Sequence, residues 1–182
     1  MGCLRPRTVF GVVAAVLLAA TWGCTHVPPP REVQGAYGAP SLGYEVALPA
    51  GEWVATPQKD PSVTVFRLKG APGRIAVQVT TVKDAGPGSK KVLASGLLVD
   101  IEGHKLISRS PRVVSQCEAI AQDWSARVRE TPIRARTCVF ICEGRVYDLY
   151  CWSKPEEFER TAALFETFLR GFRVKFPEEM TK

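Results

Sequence analysis

The chain has 182 residues, 46% of them hydrophobic, with 24 Lys and Arg against 18 Asp and Glu for a formal charge of +6. That length accommodates a single globular domain behind a leader, with a core large enough to be stable alone. The charge is mild and no dense Lys/Arg block is interleaved with aromatics, which excludes a nucleic-acid reader.

The first residues read as an export signal. Arg5 and Arg7 form a positive n-region, every residue from Val9 to Ala20 is apolar or glycine, and no acid precedes Glu32. A spanning helix needs about 20 apolar residues, whereas a signal h-region needs roughly 7 to 15. Thr21, Trp22 and Gly23 then lead to Cys24. A small residue before a cysteine directly behind an h-region resembles the bacterial lipobox, although Thr21 replaces its usual Leu and Trp22 is bulky. Residues 1–23 are therefore expected to be a lipoprotein signal peptide and Cys24 the lipidated residue. An uncleaved anchor and an ordinary secretory signal are the alternatives. Pro6 stands where an N-myristoylation motif needs Ser or Thr, which rules that motif out. Thr25, in place of Asp, points to an outer membrane by the sorting rule of enterobacteria. The expected location is thus exported, lipid-anchored and facing the periplasm. Cleavage after Gly23 removes 23 residues, Arg5 and Arg7 among them, so 159 remain and the charge falls from +6 to +4.

Residues 24–43 comprise the lipidated cysteine and a Pro/Gly-rich stretch expected to be a tether. His26 lies within it. Tyr44, Val46 and Leu48 alternate with Glu45 and Ala47, a half-buried strand ending at Pro49, with Trp53 expected beside it in the core. Segments 62–69 and 74–82 form a hairpin around the Gly70-Ala71-Pro72-Gly73 turn. Leu93, Leu97, Leu98 and Ile101 have helical spacing, with Ser89 as N-cap, so a helix is expected over 90–101. His104 follows it, with no second histidine to share a metal or a triad.

Three strands come next, 116–128, 133–142 and 145–152, with Glu143-Gly144 as a two-residue turn. Arg127, Arg129, Arg134 and Arg136 read as a solvated hairpin end. Ser153 to Glu156 has the form of a capping box. Phe158, Ala162, Phe165 and Leu169 then make one apolar helix face, and Gly171 suits a left-handed cap. Phe172, Val174 and Phe176 give a short final strand before a polar tail, 177–182. The sum is α+β, a mostly antiparallel sheet with two main helices packed on it, in a single domain over 44–176.

With Cys24 lipidated and Cys3 removed, four cysteines remain, an even number that in an exported domain points to disulfides. A turn at Glu143-Gly144 puts Cys138, Cys142 and Cys151 on one strand face, with Cys138 and Cys151 diagonal neighbours. A turn near Arg129-Glu130 sets Cys117 opposite Cys142. Of three connectivities, the preferred pairs are Cys117 with Cys142 and Cys138 with Cys151. A zinc site or a redox pair is the alternative, but the spacing is dispersed and Cys138 and Cys142 lie in a strand.

The segments YEVALPAGEW, GRVYDLYCWS and PEEFERTAALFETFLRGFRV resemble the PsbP/Mog-type domain, including DcrB-like bacterial lipoproteins, over residues 44–176. The resemblance implies an antiparallel sheet with helices on its faces. It also implies a binding or assembly role, as in photosystem subunits and Ran-binding proteins, without a shared catalytic site. The chain carries no Gly-x-Ser-x-Gly elbow, no His-Glu-x-x-His and no phosphate-binding glycine loop. Asp123 and Asp148 are its best carboxylate candidates, each on a strand without a base nearby. The expectation is a non-catalytic binding or envelope-assembly module, held to a membrane by its N-terminal lipid and partnered by an envelope protein, with no cofactor, no metal and no nucleic acid. A small-ligand or zinc-binding lipoprotein is the alternative, and an enzyme of unrecognised type the more distant one.

Overall fold

The structure is a computed structural model that describes residues 29–81 and 103–175. Eleven strands and one α-helix are present in this part of the chain: β1 (Arg31–Val33), β2 (Ala36–Ala39), β3 (Tyr44–Ala47), β4 (Trp53–Pro57), β5 (Val63–Leu68), β6 (Arg74–Thr81), β7 (Lys105–Val114), β8 (Cys117–Val128), β9 (Thr131–Cys142), β10 (Arg145–Ser153), α1 (Phe158–Gly171) and β11 (Phe172–Val174). Eight strands form one antiparallel sheet in the order β1-β4-β5-β6-β10-β9-β8-β7, and β11-β3-β2 form a second. The coarse expectation of a mostly antiparallel α+β fold holds. Only one of its two helices can be checked, because 90–101 lies outside the described residues, as do the signal segment, Cys24, His26 and Phe176.

Three tight turns set the register of the long strands. Val114 faces Cys117, Val128 faces Thr131 and Cys142 faces Arg145, each across two residues. All six turn residues, Ser115-Gln116, Arg129-Glu130 and Glu143-Gly144, have positive φ, the geometry that matches strand twist. Only Gly144 adopts it without a side-chain penalty.

Alternation then sorts the side chains. Ile75, Val77, Val79, Cys138, Phe140, Cys142, Tyr147, Leu149 and Cys151 point inward to a common core with Phe165, Phe168, Leu169 and Phe172. The aromatic rings interlock there: Phe140 stacks on Tyr147 at 5.1 Å and Tyr44 on Phe172 at 5.2 Å. Trp53 is buried as expected, its indole N–H donating to Pro49 O at 2.7 Å. The opposite face of the sheet holds smaller apolar clusters, Val63, Val65 and Ala76 in one and Val139 and Val146 in another.

Three local expectations are corrected, and one strand, β7, lies where no element was expected. The stretch read as a tether over 24–43 enters the fold at Arg31: β1 pairs with β4 and β2 with β3. Ser153 is no helix cap, because it is the last residue of β10, paired with Arg134, and its hydroxyl donates to Lys154 O. A 3-10 turn over Pro155–Glu157 intervenes before α1, and no side chain caps either N-terminus. Gly171 is helical and does not take the left-handed form. It is needed because a Cβ there would run into the carbonyl oxygen of Ala47 on β3. Gly171→Ala is therefore expected to cost about 1–3 kcal/mol through overpacking, measured by urea denaturation; an unchanged midpoint would refute that role.

Candidate functional site

The inner face of the sheet changes character towards β7. Beyond the aromatic core, the inward positions are Asp123 on β8, Arg136 on β9, and Ser108, Ser110 and Arg112 on β7. α1 lays Glu166 over them. Asp123 and Arg136 are direct cross-strand partners. The guanidinium grips that carboxylate with two nitrogens, Nε to Oδ1 at 2.6 Å and Nη2 to Oδ2 at 2.9 Å. Its third nitrogen, Nη1, donates to Glu166 Oε1 at 3.0 Å. Arg112 Nη1 reaches both Glu166 oxygens, at 2.6 and 2.8 Å. Hydrogen bonding to Asp123, opposed in part by burial, raises the Arg136 pKa further above its ordinary value, so this guanidinium stays charged.

Two clefts open on this network. One of about 130 Å³ is lined by Ser108, Ser110, Arg112, Asp123, Arg136 and Glu166. A second of about 350 Å³ runs between β7 and α1, between Arg112, Val113 and Val114 on one wall and Glu166, Leu169 and Arg170 on the other. Arginine donates and cannot accept a proton at ordinary pH. The two serines thus face a charge-balanced network of two arginines and two carboxylates, and both carboxylates are engaged by guanidinium groups. Such an arrangement can orient anions and polar groups.

The residues singled out in the sequence fall in several places. Asp123 joins the network. Asp148 lies on the opposite face of the sheet, buried, where loss of solvation raises its pKa to about 8. The two carboxylates are thus separated by the sheet. His104 is exposed, its ring 5.8 Å from that of Trp124. Arg127 and Arg129 are exposed at the hairpin end as expected, but Arg134 and Arg136 are not. Arg134 instead lies 4.2 Å over the ring of Phe158, and Arg136 holds the network.

The four cysteines share the inner face. Cys117 and Cys142, directly opposed, are joined by a disulfide. Cys138 and Cys151 are not; both are buried free thiols, and burial pushes each up to about 12. The register explains this correction. Cys138 faces Leu149 and Cys151 faces Arg136, which makes the two cysteines diagonal neighbours with Cα atoms about 7–8 Å apart, beyond the usual reach of a disulfide. With two of the four sulfurs bridged, two free thiols remain in the cluster. Glu166, Arg112 and the β7 wall escaped the sequence reading. Asp123 and Arg136 did carry a signal, since the turn that opposes Cys117 to Cys142 also opposes them.

No family model matches the chain, and no curated relative matches it. Solved structures do. Cyanobacterial PsbP (CyanoP) from Synechocystis sp. PCC 6803 superposes with a TM-score of 0.57 at 17% identity, covering 85% of this chain and 98% of that one. LpqN, described as involved in cell envelope biogenesis of Mycobacterium tuberculosis, gives 0.56 at 16% identity, covering 93% and 100%. PA94 of Pseudomonas aeruginosa, a putative regulator of unknown function, gives 0.55 at 14%, covering 73% and 92%. The fold is PsbP-like. Among the described residues no helix is long and apolar enough to cross a membrane.

Proposed function

We propose that this chain is an exported lipoprotein, anchored through lipid on Cys24 to the periplasmic side of the outer membrane, whose domain is a non-catalytic binding or envelope-assembly module for another envelope protein. The observation that carries the binding role is the wall formed by β7 and α1. It combines a strand edge that pairs with no further strand among the described residues, a cleft of about 350 Å³ and an arginine–carboxylate network in which both acids are engaged by guanidinium groups. The likeness to LpqN, an envelope-biogenesis protein by its description, supports the setting.

The fold also shortens the leash. Strand β1 begins at Arg31, so residues 25–30 alone separate the lipid from the domain. Six residues span at most about 20 Å, which keeps the domain close to the membrane and limits it to partners there. Acyl chains contribute about 0.8 kcal/mol per buried methylene, enough for stable anchoring when several are attached.

Cys24→Ala is expected to move the protein from the membrane pellet to the soluble or unprocessed fraction and to abolish incorporation of an alkyne fatty acid. Labelling that survives the substitution would sink the anchor. Crosslinking the wild-type protein in its native membrane, followed by affinity purification, tests the module; recovery of no specific partner would count against it.

A further inference from the structure

Strand β7 ends the eight-stranded sheet, so its outer edge meets no further strand among the described residues. It is ten residues long. The large apolar side chains that stand exposed in the described part of the chain, Leu106, Ile107 and Val113, all lie on it, Val113 at 71% exposure. Long edges are usually blunted because they template strand pairing. Here a bulge between Leu106 and Ser108 and a proline at position 111 provide some protection, and the stretch around Val113 lies past both.

The hairpin turn dictates which backbone groups face outward. Val114 and Cys117 flank a two-residue turn, and closure of such a turn makes them a hydrogen-bonded pair. Alternation then directs the backbone of Arg112 and Val114 to β8, and that of Pro111 and Val113 away from it. Pro111 loses no ladder bond there, since its missing N–H would face outward. The edge offers Val113 N–H and the carbonyls of Pro111 and Val113.

Charge selects the occupant. β7 carries Lys105, Arg109 and Arg112 and no acid, and Arg170 stands across the cleft. The one acid lining that cleft, Glu166, is paired with Arg112 and Arg136. A second copy of β7 would oppose cation to cation, which is unfavourable for direct cross-strand neighbours. An acidic strand would meet opposite charge at Lys105 and at Arg170, and at Arg112 would share the guanidinium with Glu166.

We propose that β7 receives, by strand addition, an extended acidic segment of a partner protein, with an Asp or Glu side chain entering the cleft between Arg112 and Arg170. Main-chain bonds to Val113 supply affinity and the cleft supplies selectivity. This names the partner chemistry of the site under the proposed function and rests on that reading.

The test uses the full-length chain in detergent micelles and a fluorescein-labelled heptapeptide alternating Glu and Val, with its Lys–Val counterpart as control. Anisotropy should show binding of the Glu peptide alone, weakened by added salt. Val113→Pro, which removes the outward N–H, and the Arg112→Gln, Arg170→Gln double variant should each weaken it about tenfold or more. Hydrogen exchange on the wild-type chain, which requires no variant to fold, should show the Val113 amide slowed by the Glu peptide. Equal binding of the Lys peptide, an unprotected Val113 amide, or a β7-mediated dimer in sedimentation would overturn the proposal. If crosslinking in native membranes captured the same partner with wild type and Val113→Pro, the binding role would stand and the edge site would fall.

Discussion

Replacing Asp148 by Asn is expected to stabilise the protein at pH 7 by about 2–4 kcal/mol, as a carboxyl group held near-neutral by burial contributes an unfavourable linkage. Asp148 is 3% exposed, and its Oδ1, like Thr137 Oγ1 and Tyr150 OH on the same face, has no hydrogen-bond partner among the described residues. Burial raises its pKa from 3.8 to about 8. The sign follows from that direction. The folded state keeps a proton that the unfolded state gives up, so the group's stabilising contribution is complete below about pH 3.8 and is lost progressively as pH rises to about 8. Wild type and Asp148→Asn should therefore be nearly equal in urea denaturation at pH 4 and diverge up to about pH 8, with the variant the more stable. The asparagine amide is neutral at every pH and has Thr137 Oγ1 and Tyr150 OH as nearby polar company. Parallel pH profiles for the two proteins would show that Asp148 is ionised in the fold. The result also bears on function, because a carboxyl group buried across the sheet from the clefts has no route to a ligand held by Arg112 and Arg136.

How much of this was legible in the sequence depended on whether a strand's inward side chains were apolar. β3 alternates, β5, β6, β9 and β10 are rich in β-branched and aromatic residues, and Glu143-Gly144 and Arg129-Glu130 punctuate the long strands, so both turns and the register through Cys117 and Cys142 could be counted out from the residues. β7 defeats the same procedure. Before Val114 its inward residues are Ser108, Ser110 and Arg112, it contains Pro111, and its other apolar residues, Leu106, Ile107 and Val113, are exposed, which is the pattern of an edge strand and reads as a loop. β1 and β2 were hidden in a Pro/Gly-rich stretch because Arg31–Val33 and Ala36–Ala39 carry only one large apolar residue each, too few to show a period. The same limits governed the site. Asp123 and Arg136 could have been paired by counting back from Arg129-Glu130. Glu166 and Arg112 meet across 54 residues of sequence, and only the packing of α1 on the sheet brings them together.

Loss of the Cys117–Cys142 bridge should destabilise the domain by about 3–4 kcal/mol, the chain-entropy value for a loop of this size. The bridge closes 25 residues of separation and ties the start of β8 to the end of β9, one residue past the Ser115-Gln116 turn from which β7 hangs. In a domain of this length about 1 kcal/mol corresponds to a shift of roughly 2–4 °C, so the Cys117→Ala, Cys142→Ala double variant should melt roughly 6–16 °C lower. The double replacement is the cleaner test, since neither leaves an unpaired thiol. Native alkylation should leave Cys138 and Cys151 unmodified, because both are buried and their thiolates are disfavoured. Alkylation after unfolding without reductant should label these two and recover Cys117 and Cys142 in one linked peptide. A linked Cys138–Cys151 peptide would contradict the register. The effect should extend to binding: among the described residues β7 pairs with one strand, β8, and the turn that joins them is tied to β11, where Ser115 Oγ accepts from Val174 N at 2.8 Å. Releasing the β8 end loosens the strand that presents Val113 and Arg112, so the Glu–Val peptide should bind the double variant more weakly even at temperatures where it remains folded. Undiminished peptide affinity there would mean that the edge is held by its ladder to β8 alone.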